Sequence, residues 1–174
     1  MLAIERFRVG DRDVWIGVIF HGRMQGISFA FTRRELLERI QGLAEFLRKR
    51  GVSLSLDVQP SKYTELIYRV MVGELDNEKA LPELSFEGVT PFERSVYEWL
   101  TKNVKRGSVI TYGSLAKALG TSPRAIGGAM KRNPYPVLVP CHRVVASDGI
   151  GYYSSGIEEK KFLFELEGVK EWTS

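Results

Sequence analysis

Apolar positions in the first third of the chain follow strand periods and then switch to a helical one. Val14-Trp15-Ile16-Gly17-Val18-Ile19-Phe20 and Gly26-Ile27-Ser28-Phe29-Ala30-Phe31 are β-rich runs joined by a His21-Gly22-Arg23 turn. In the second run Ile27, Phe29 and Phe31 alternate, which predicts a half-buried strand. Thr32 with Glu35 makes a capping-box pattern, and Leu36, Leu37, Ile40, Leu43, Ala44 and Leu47 follow at helical spacing. Arg48-Lys49-Arg50 and Gly51 close that helix. A short strand over 52–58 and a helix over 64–74 complete a small α/β unit that carries no evident chemistry.

Residues 76–90 are polar and turn-rich, so the domain boundary is placed there, giving domains 1–87 and 88–174. Thr90-Pro91-Phe92-Glu93 starts a helix: Thr90 caps, Pro91 takes the first position and Glu93 reaches back. Phe92, Val96, Tyr97, Trp99 and Leu100 form its apolar side. A short amphipathic helix over 114–119, a Gly120-Thr121-Ser122 turn and a helix over 123–132 outline a helix-turn-helix. The fold class is therefore α+β, a small α/β domain followed by a mostly helical, winged-helix-like one.

On the second helix of that motif Arg124, Gly127, Gly128 and Lys131 share one face. Two adjacent interior glycines cost about 1 kcal/mol each relative to alanine. Arg124, in the first turn, also opposes the helix dipole. A bare cationic face suits a nucleic-acid groove, including the minor groove; close helix–helix packing through the glycines is the alternative.

Charge sharpens that reading. Residues 1–87 hold 13 basic and 13 acidic side chains, whereas 88–174 hold 12 and 8, which accounts for the whole net charge of +4. Between Glu98 and Asp148 lie eight basic residues (Lys102, Lys105, Arg106, Lys117, Arg124, Lys131, Arg132 and Arg143) and no carboxylate. Such a block is the footprint of a polyanionic partner. Ordinary apolar and charged fractions exclude disorder and a disulfide scaffold, and no apolar run spans a membrane or forms a leader. A cytoplasmic protein is expected. Asn and Gln number only three each, which points to a heat-adapted source. One cysteine and two histidines build neither a disulfide nor a Cys/His metal cage, so no metal is expected.

That one cysteine, Cys141, follows a segment stiffened by Pro134, Pro136 and Pro140 and precedes His142. A lone cysteine among valines is most often a small core hydrophobe. Its histidine neighbour and the basic block favour a nucleophile, because a cationic field lowers a thiol pKa. Neighbours in an extended segment point to opposite sides, so His142 is expected to reach Cys141 through water. A carboxylate must then stand behind His142, and Glu167, at the end of a last helix over 157–167, is the candidate.

Arg124-Ala125-Ile126-Gly127-Gly128-Ala129-Met130, Asn133-Pro134 and Pro140-Cys141-His142-Arg143-Val144 closely resemble the O6-alkylguanine-DNA alkyltransferases. The likeness covers roughly residues 90–168, and the first domain follows it only in layout. It implies a protein that rotates O6-alkylguanine, and O4-alkylthymine with it, out of double-stranded DNA through the minor groove. The alkyl group then passes irreversibly to Cys141, one repair per molecule, with no cofactor. Arg124 would fill the vacated stack, with Ala125, Gly127, Gly128 and Lys131 against the DNA. Tyr112 would turn the 3′ phosphate and serve guanine N3, and Asn133 would tie the recognition helix to the site. Met130, Tyr153 (or Tyr152) and Ser154 would line the pocket, and the carbonyls of Cys141 and Val144 would read the base. The stretch over 147–154 is one residue shorter than usual in the family, and Ser155 stands where glycine is common. The zinc site some relatives carry in the first domain has no cysteine here. A monomer is expected. A non-reactive DNA binder would not need Cys141, and a cysteine hydrolase would leave Arg124 and the paired glycines unexplained.

Overall fold

A computed structural model describes residues 1–153 and 155–170. Strands β1 (Leu2–Val9), β2 (Arg12–His21) and β3 (Arg23–Ala30) form an antiparallel sheet in sequence order. β1 extends the predicted pair, and the turn between β2 and β3 carries Gly22 at φ +72°. Helix α1 (Arg33–Lys49) lies on one face of the sheet, burying Leu36, Ile40, Ala44 and Leu47 against Leu2, Ile19 and Ala30. It sits close because Gly17 and Gly26 have no side chains. A Cβ on either would stand 2.9 Å from Ile40 Cδ1 or 2.8 Å from Leu43 Cδ2.

The opposite face, with Val14, Ile16, Val18, Ile27 and Phe29, joins the main core. β3 is therefore covered on both sides, not half-buried as its alternation predicts, and only Arg23 is exposed. The expected strand over 52–58 reduces to one parallel bridge, Val58 to Leu2. Helix α2 (Tyr63–Met71) ends three residues before the predicted stop, where Gly73 takes φ +84°. The polar stretch after it forms a short helix α3 (Asn77–Ala80) and a 3-10 turn, Leu81–Glu83, with Asn77, Ala80 and Leu81 buried.

Helix α4 (Pro91–Asn103) begins with the complete capping box: Glu93 N donates to Thr90 Oγ1 and Thr90 N to Glu93 Oε1, each at 3.1 Å. Phe92 is exposed, because the helix turns Val96, Tyr97 and Leu100 inward. Strand β4 (Ile110–Thr111) leads into α5 (Tyr112–Leu119), Gly120 in the left-handed region, and α6 (Pro123–Lys131) capped by Ser122. β4 pairs in parallel with β5 (Val144–Val145), and α7 (Ile157–Glu167) closes the fold. The main core draws on both halves of the chain, from Ala3 to Leu163. The free edge of β3 also holds the segment before the cysteine, through Ile27 N donating to Pro134 O at 2.8 Å. Among the described residues, no helix is long and apolar enough to cross a membrane.

Candidate functional site

Cys141 stands where three elements meet: the buried segment 133–140 leaving α6, β5 beside β4, and α7. The prolines hold that segment without regular structure, but Cys141–Arg143 itself winds into a 3-10 turn instead of staying extended. The turn is tight because Arg143 N donates to Pro140 O at 2.9 Å and Val144 N to Cys141 O. Among the described residues no hydrogen bond joins Cys141 to His142 directly.

His142 is fully buried and faces Glu167, with Nε2 2.9 Å from Oε2. His142 Nδ1 has no partner among the described residues. Glu167 also takes a fork from Arg143, Nε to Oε1 at 2.9 Å and Nη2 to Oε2 at 2.8 Å. His142 and Arg143 together hold the Glu167 carboxyl ionised, far below the usual range, although burial pushes the other way. Burial keeps His142 neutral, and Glu167 only partly offsets it. An ionised carboxylate accepts, so Nε2 carries the proton and the lone pair lies on Nδ1.

The thiol does not follow the sequence expectation. Burial raises Cys141 above the ordinary thiol value, against the opposing pull of the Asn133 amide, the Lys160 ammonium and Tyr153. The basic block cannot supply the lowering field, because half of it turns elsewhere. Arg143 is buried on Glu167, Arg106 donates to Met71 O and Leu166 O, Arg132 pairs with Glu93, and Lys105 pairs with Glu78. Acidic side chains distant in sequence fold onto the block. Lys102, Lys117, Arg124 and Lys131 remain exposed.

Asn133 is buried, accepting from Tyr135 N at 2.9 Å and donating to Val139 O at 3.2 Å. Met130 and Val144 are buried nearby, and Tyr153 lies edge-on to His142 with ring centroids 6.4 Å apart. Tyr153 is 4% exposed and Tyr152 56%, so the two tyrosines part company: the first belongs to the interior, the second to the surface. Ser154 lies outside the described residues. Tyr112, first residue of α5, donates from its hydroxyl to Tyr152 O at 3.4 Å, and burial raises its pKa.

An apolar groove of about 460 Å³ is lined by Tyr112, Pro123, Arg124, Gly127, Lys131 and Tyr152. Ala125 is half-buried at the start of α6, its N–H bonded to Ser122 Oγ. The helix–helix packing alternative for the paired glycines fails. Among the described residues a Cβ on Gly127 would meet nothing within 4 Å, and the atoms nearest to one on Gly128 belong to the Arg132 guanidinium, 2.9 Å away.

Lys160 is the residue that sequence reasoning misses. Fully buried, it donates to Val144 O at 2.8 Å and Tyr152 O at 3.0 Å, and burial lowers its pKa to about 8. In the sequence it sits in Glu158-Glu159-Lys160-Lys161, which reads as a solvated face. Both carbonyls expected to read a base, Cys141 O and Val144 O, thus already accept a hydrogen bond within the protein, from Val144 N and from Lys160 Nζ. Among the described residues no group of His, Cys, Asp and Glu could hold a metal ion.

Comparison with known proteins agrees over both halves. Residues 1–85 match the family described as methylated DNA-protein cysteine methyltransferase, N-terminal, and residues 91–169 match 6-O-methylguanine DNA methyltransferase, DNA binding domain. The chain is 82% identical to the methylated-DNA--protein-cysteine methyltransferase of Thermococcus gammatolerans, over 99% of each chain. It is 77% identical to that of Thermococcus kodakarensis over the full length of both. The crystal structure of O6-methylguanine-DNA methyltransferase from the hyperthermophilic archaeon Pyrococcus kodakaraensis superimposes with a TM-score of 0.97 at 76% identity, covering 97% of this chain and all of that one. The OGT of Mycobacterium tuberculosis, solved in complex with DNA, shares the fold at a TM-score of 0.62 and 22% identity, covering 95% of this chain and 93% of that one. The Thermococcus and Pyrococcus relatives accord with the heat-adapted source that scarce Asn and Gln indicate. A buried Cys-His turn backed by a glutamate, together with a groove walled by a helix-turn-helix, thus sits in a chain that belongs to the methylated-DNA–protein-cysteine methyltransferases, the family that repairs DNA by moving an alkyl group onto a cysteine.

Proposed function

We propose that this protein, a cytoplasmic monomer, binds double-stranded DNA and rotates O6-alkylguanine, or O4-alkylthymine, out of the stack through the minor groove. The alkyl group passes to Cys141 and stays there, so each molecule acts once. The observation that carries the reading is the Nδ1 of buried His142, without a partner among the described residues, while the other nitrogen of that ring is fixed on Glu167.

The proton path follows from that tautomer. Water bridging Cys141 and His142 passes the thiol proton to Nδ1, and the imidazolium so formed is held by the Glu167 carboxylate. The thiolate sulfur attacks the alkyl carbon; the C–S bond forms as the carbon–O6 bond breaks, and guanine leaves with the electron pair. Tyr112, on the groove wall, shares its proton with guanine N3 and neutralises the leaving base. The displacement balances without a cofactor, because the leaving group is already on the substrate. The thioether product resists hydrolysis, which makes the reaction stoichiometric.

Recognition is assigned to α6. Arg124 enters the stack, while Ala125, Gly127, Gly128 and Lys131 lie along the DNA backbone. The empty space over Gly127 supports close approach of a groove. Met130, Val144 and Tyr153 line the pocket, and Asn133 ties it to α6. Intact mass after mixing with an O6-methylguanine duplex, followed by peptide mapping, tests the reading. One CH₂ on Cys141, and no more than one per molecule, is the expected result. Unchanged mass with DNA still bound would leave a non-reactive binder.

A further inference from the structure

Asn77 of α3 links the first half of the chain to the segment that leads into the cysteine. It is buried, and its amide is fully used: Nδ2 donates to Val137 O and Leu138 O, each at 2.9 Å, and Oδ1 accepts from Arg143 Nη2 at 3.3 Å. Among the described residues no backbone N–H donates to either carbonyl. Val137 stands at φ +75°, a conformation that a β-branched residue adopts only under constraint. The next carbonyl, Val139 O, is held by Asn133 and by Cys141 N at 2.7 Å. The strained segment leading to the cysteine is therefore clamped from two sides, by Asn133 beside α6 and by Asn77 from the sheet-bearing half. Through Arg143, Asn77 also touches the fork that orients Glu167 and, behind it, His142.

We infer that Asn77 is a positioning residue for the alkyl-accepting cysteine, fixing the 137–138 carbonyls and the Arg143 fork so that thiol and imidazole hold their mutual geometry. The inference rests on Cys141 being the acceptor.

Asn77→Leu removes the donors and the acceptor at similar volume, and Asn77→Asp keeps only the acceptor facing Arg143. Transfer from an O6-methylguanine duplex is timed well below the melting midpoint, alongside DNA affinity and the pH profile of Cys141 carbamidomethylation by iodoacetamide. The folded Leu variant is expected to transfer at least about tenfold more slowly with DNA affinity unchanged. Its carbamidomethylation midpoint should fall by about half a pH unit or more, because a slackened loop admits water to a thiol that burial holds high. The Asp variant should lie between. Parental rate and profile in folded Asn77→Leu would overturn the inference. If that variant fails to fold, parental values in Asn77→Asp do so. Iodoacetamide reads Cys141 without any guanine chemistry. A parent that gains no mass from the duplex therefore counts against the proposed reaction, while the profile still decides on Asn77.

Discussion

His142, next in the chain to the thiol, offers one nitrogen to Glu167 at 2.9 Å and leaves the other without a partner among the described residues. A histidine held this way is a proton acceptor with a fixed tautomer. His142→Ala should therefore slow transfer by about 10²–10⁴-fold, the usual worth of a placed general base. DNA affinity should hold, since His142 is buried away from the groove. Stopped-flow transfer and a separate DNA titration separate the two; equal losses in both would remove the relay.

Lys160 works on the same thiol from α7. Its ammonium opposes the burial that raises Cys141, and its own proton leaves near pH 8. Lys160→Met should slow the carbamidomethylation of Cys141 by iodoacetamide at neutral pH. The difference from the parent should be largest below about pH 8, where Lys160 is charged, and shrink above it. An unchanged rate at neutral pH would show that the ammonium serves only the Val144 and Tyr152 carbonyls.

The empty space over Gly127 separates folding from function. Alanine there meets nothing in the free protein, so the helix should gain about 0.5–1 kcal/mol and the melting temperature should rise. Binding to duplex DNA should weaken, because the added methyl occupies the side turned to the groove. A stabilised Gly127→Ala protein with parental DNA affinity would mean that nothing approaches that face.

Arg124 gives the complementary test. It is exposed at the rim of the groove and forms no ion pair with the described residues. Arg124→Ala should impair repair of duplex DNA far more than reaction with free O6-benzylguanine, which needs no rotation out of a stack. Binding should also weaken as salt rises, through counterion release. Equal losses on duplex and free base would deny Arg124 its place in the stack.

What was legible in the sequence was local. Capping at Thr90, the helix-turn-helix and the Cys-His pair are short-range patterns, and they stand where spacing put them. What escaped was partnership over distance. Arg143 counts as surface charge until Glu167, 24 residues on, folds against it. Lys160 hides in a charged run, and Asn77 in a stretch that reads as linker. The thiol failed for the same reason: its neighbours in sequence are cationic, but its surroundings in space are dry. Gly17 and Gly26 likewise look like weak strand positions until α1 lies over them.

Glu93 ties three helices together and sets the acid limit of the fold. Its side chain, at the start of α4, accepts from Arg50 after α1 and from Arg132 after α6. Although burial works against it, these partners and the Thr90 cap lower its pKa to about 2, against an ordinary value of 4.5. A depressed carboxyl contributes stability that is fully present above pH 4.5 and is lost as pH falls through about 2. With Arg132 partly exposed and screened, the contribution is on the order of 2 kcal/mol. Glu93→Gln should thus melt below the parent at pH 7, and the gap should narrow between about pH 4.5 and 2. Because Arg132 anchors the end of α6, the variant should also loosen the recognition helix, seen as faster amide exchange over 128–132. A gap that stays constant down to pH 2 would assign the loss to packing, not to the ion triad.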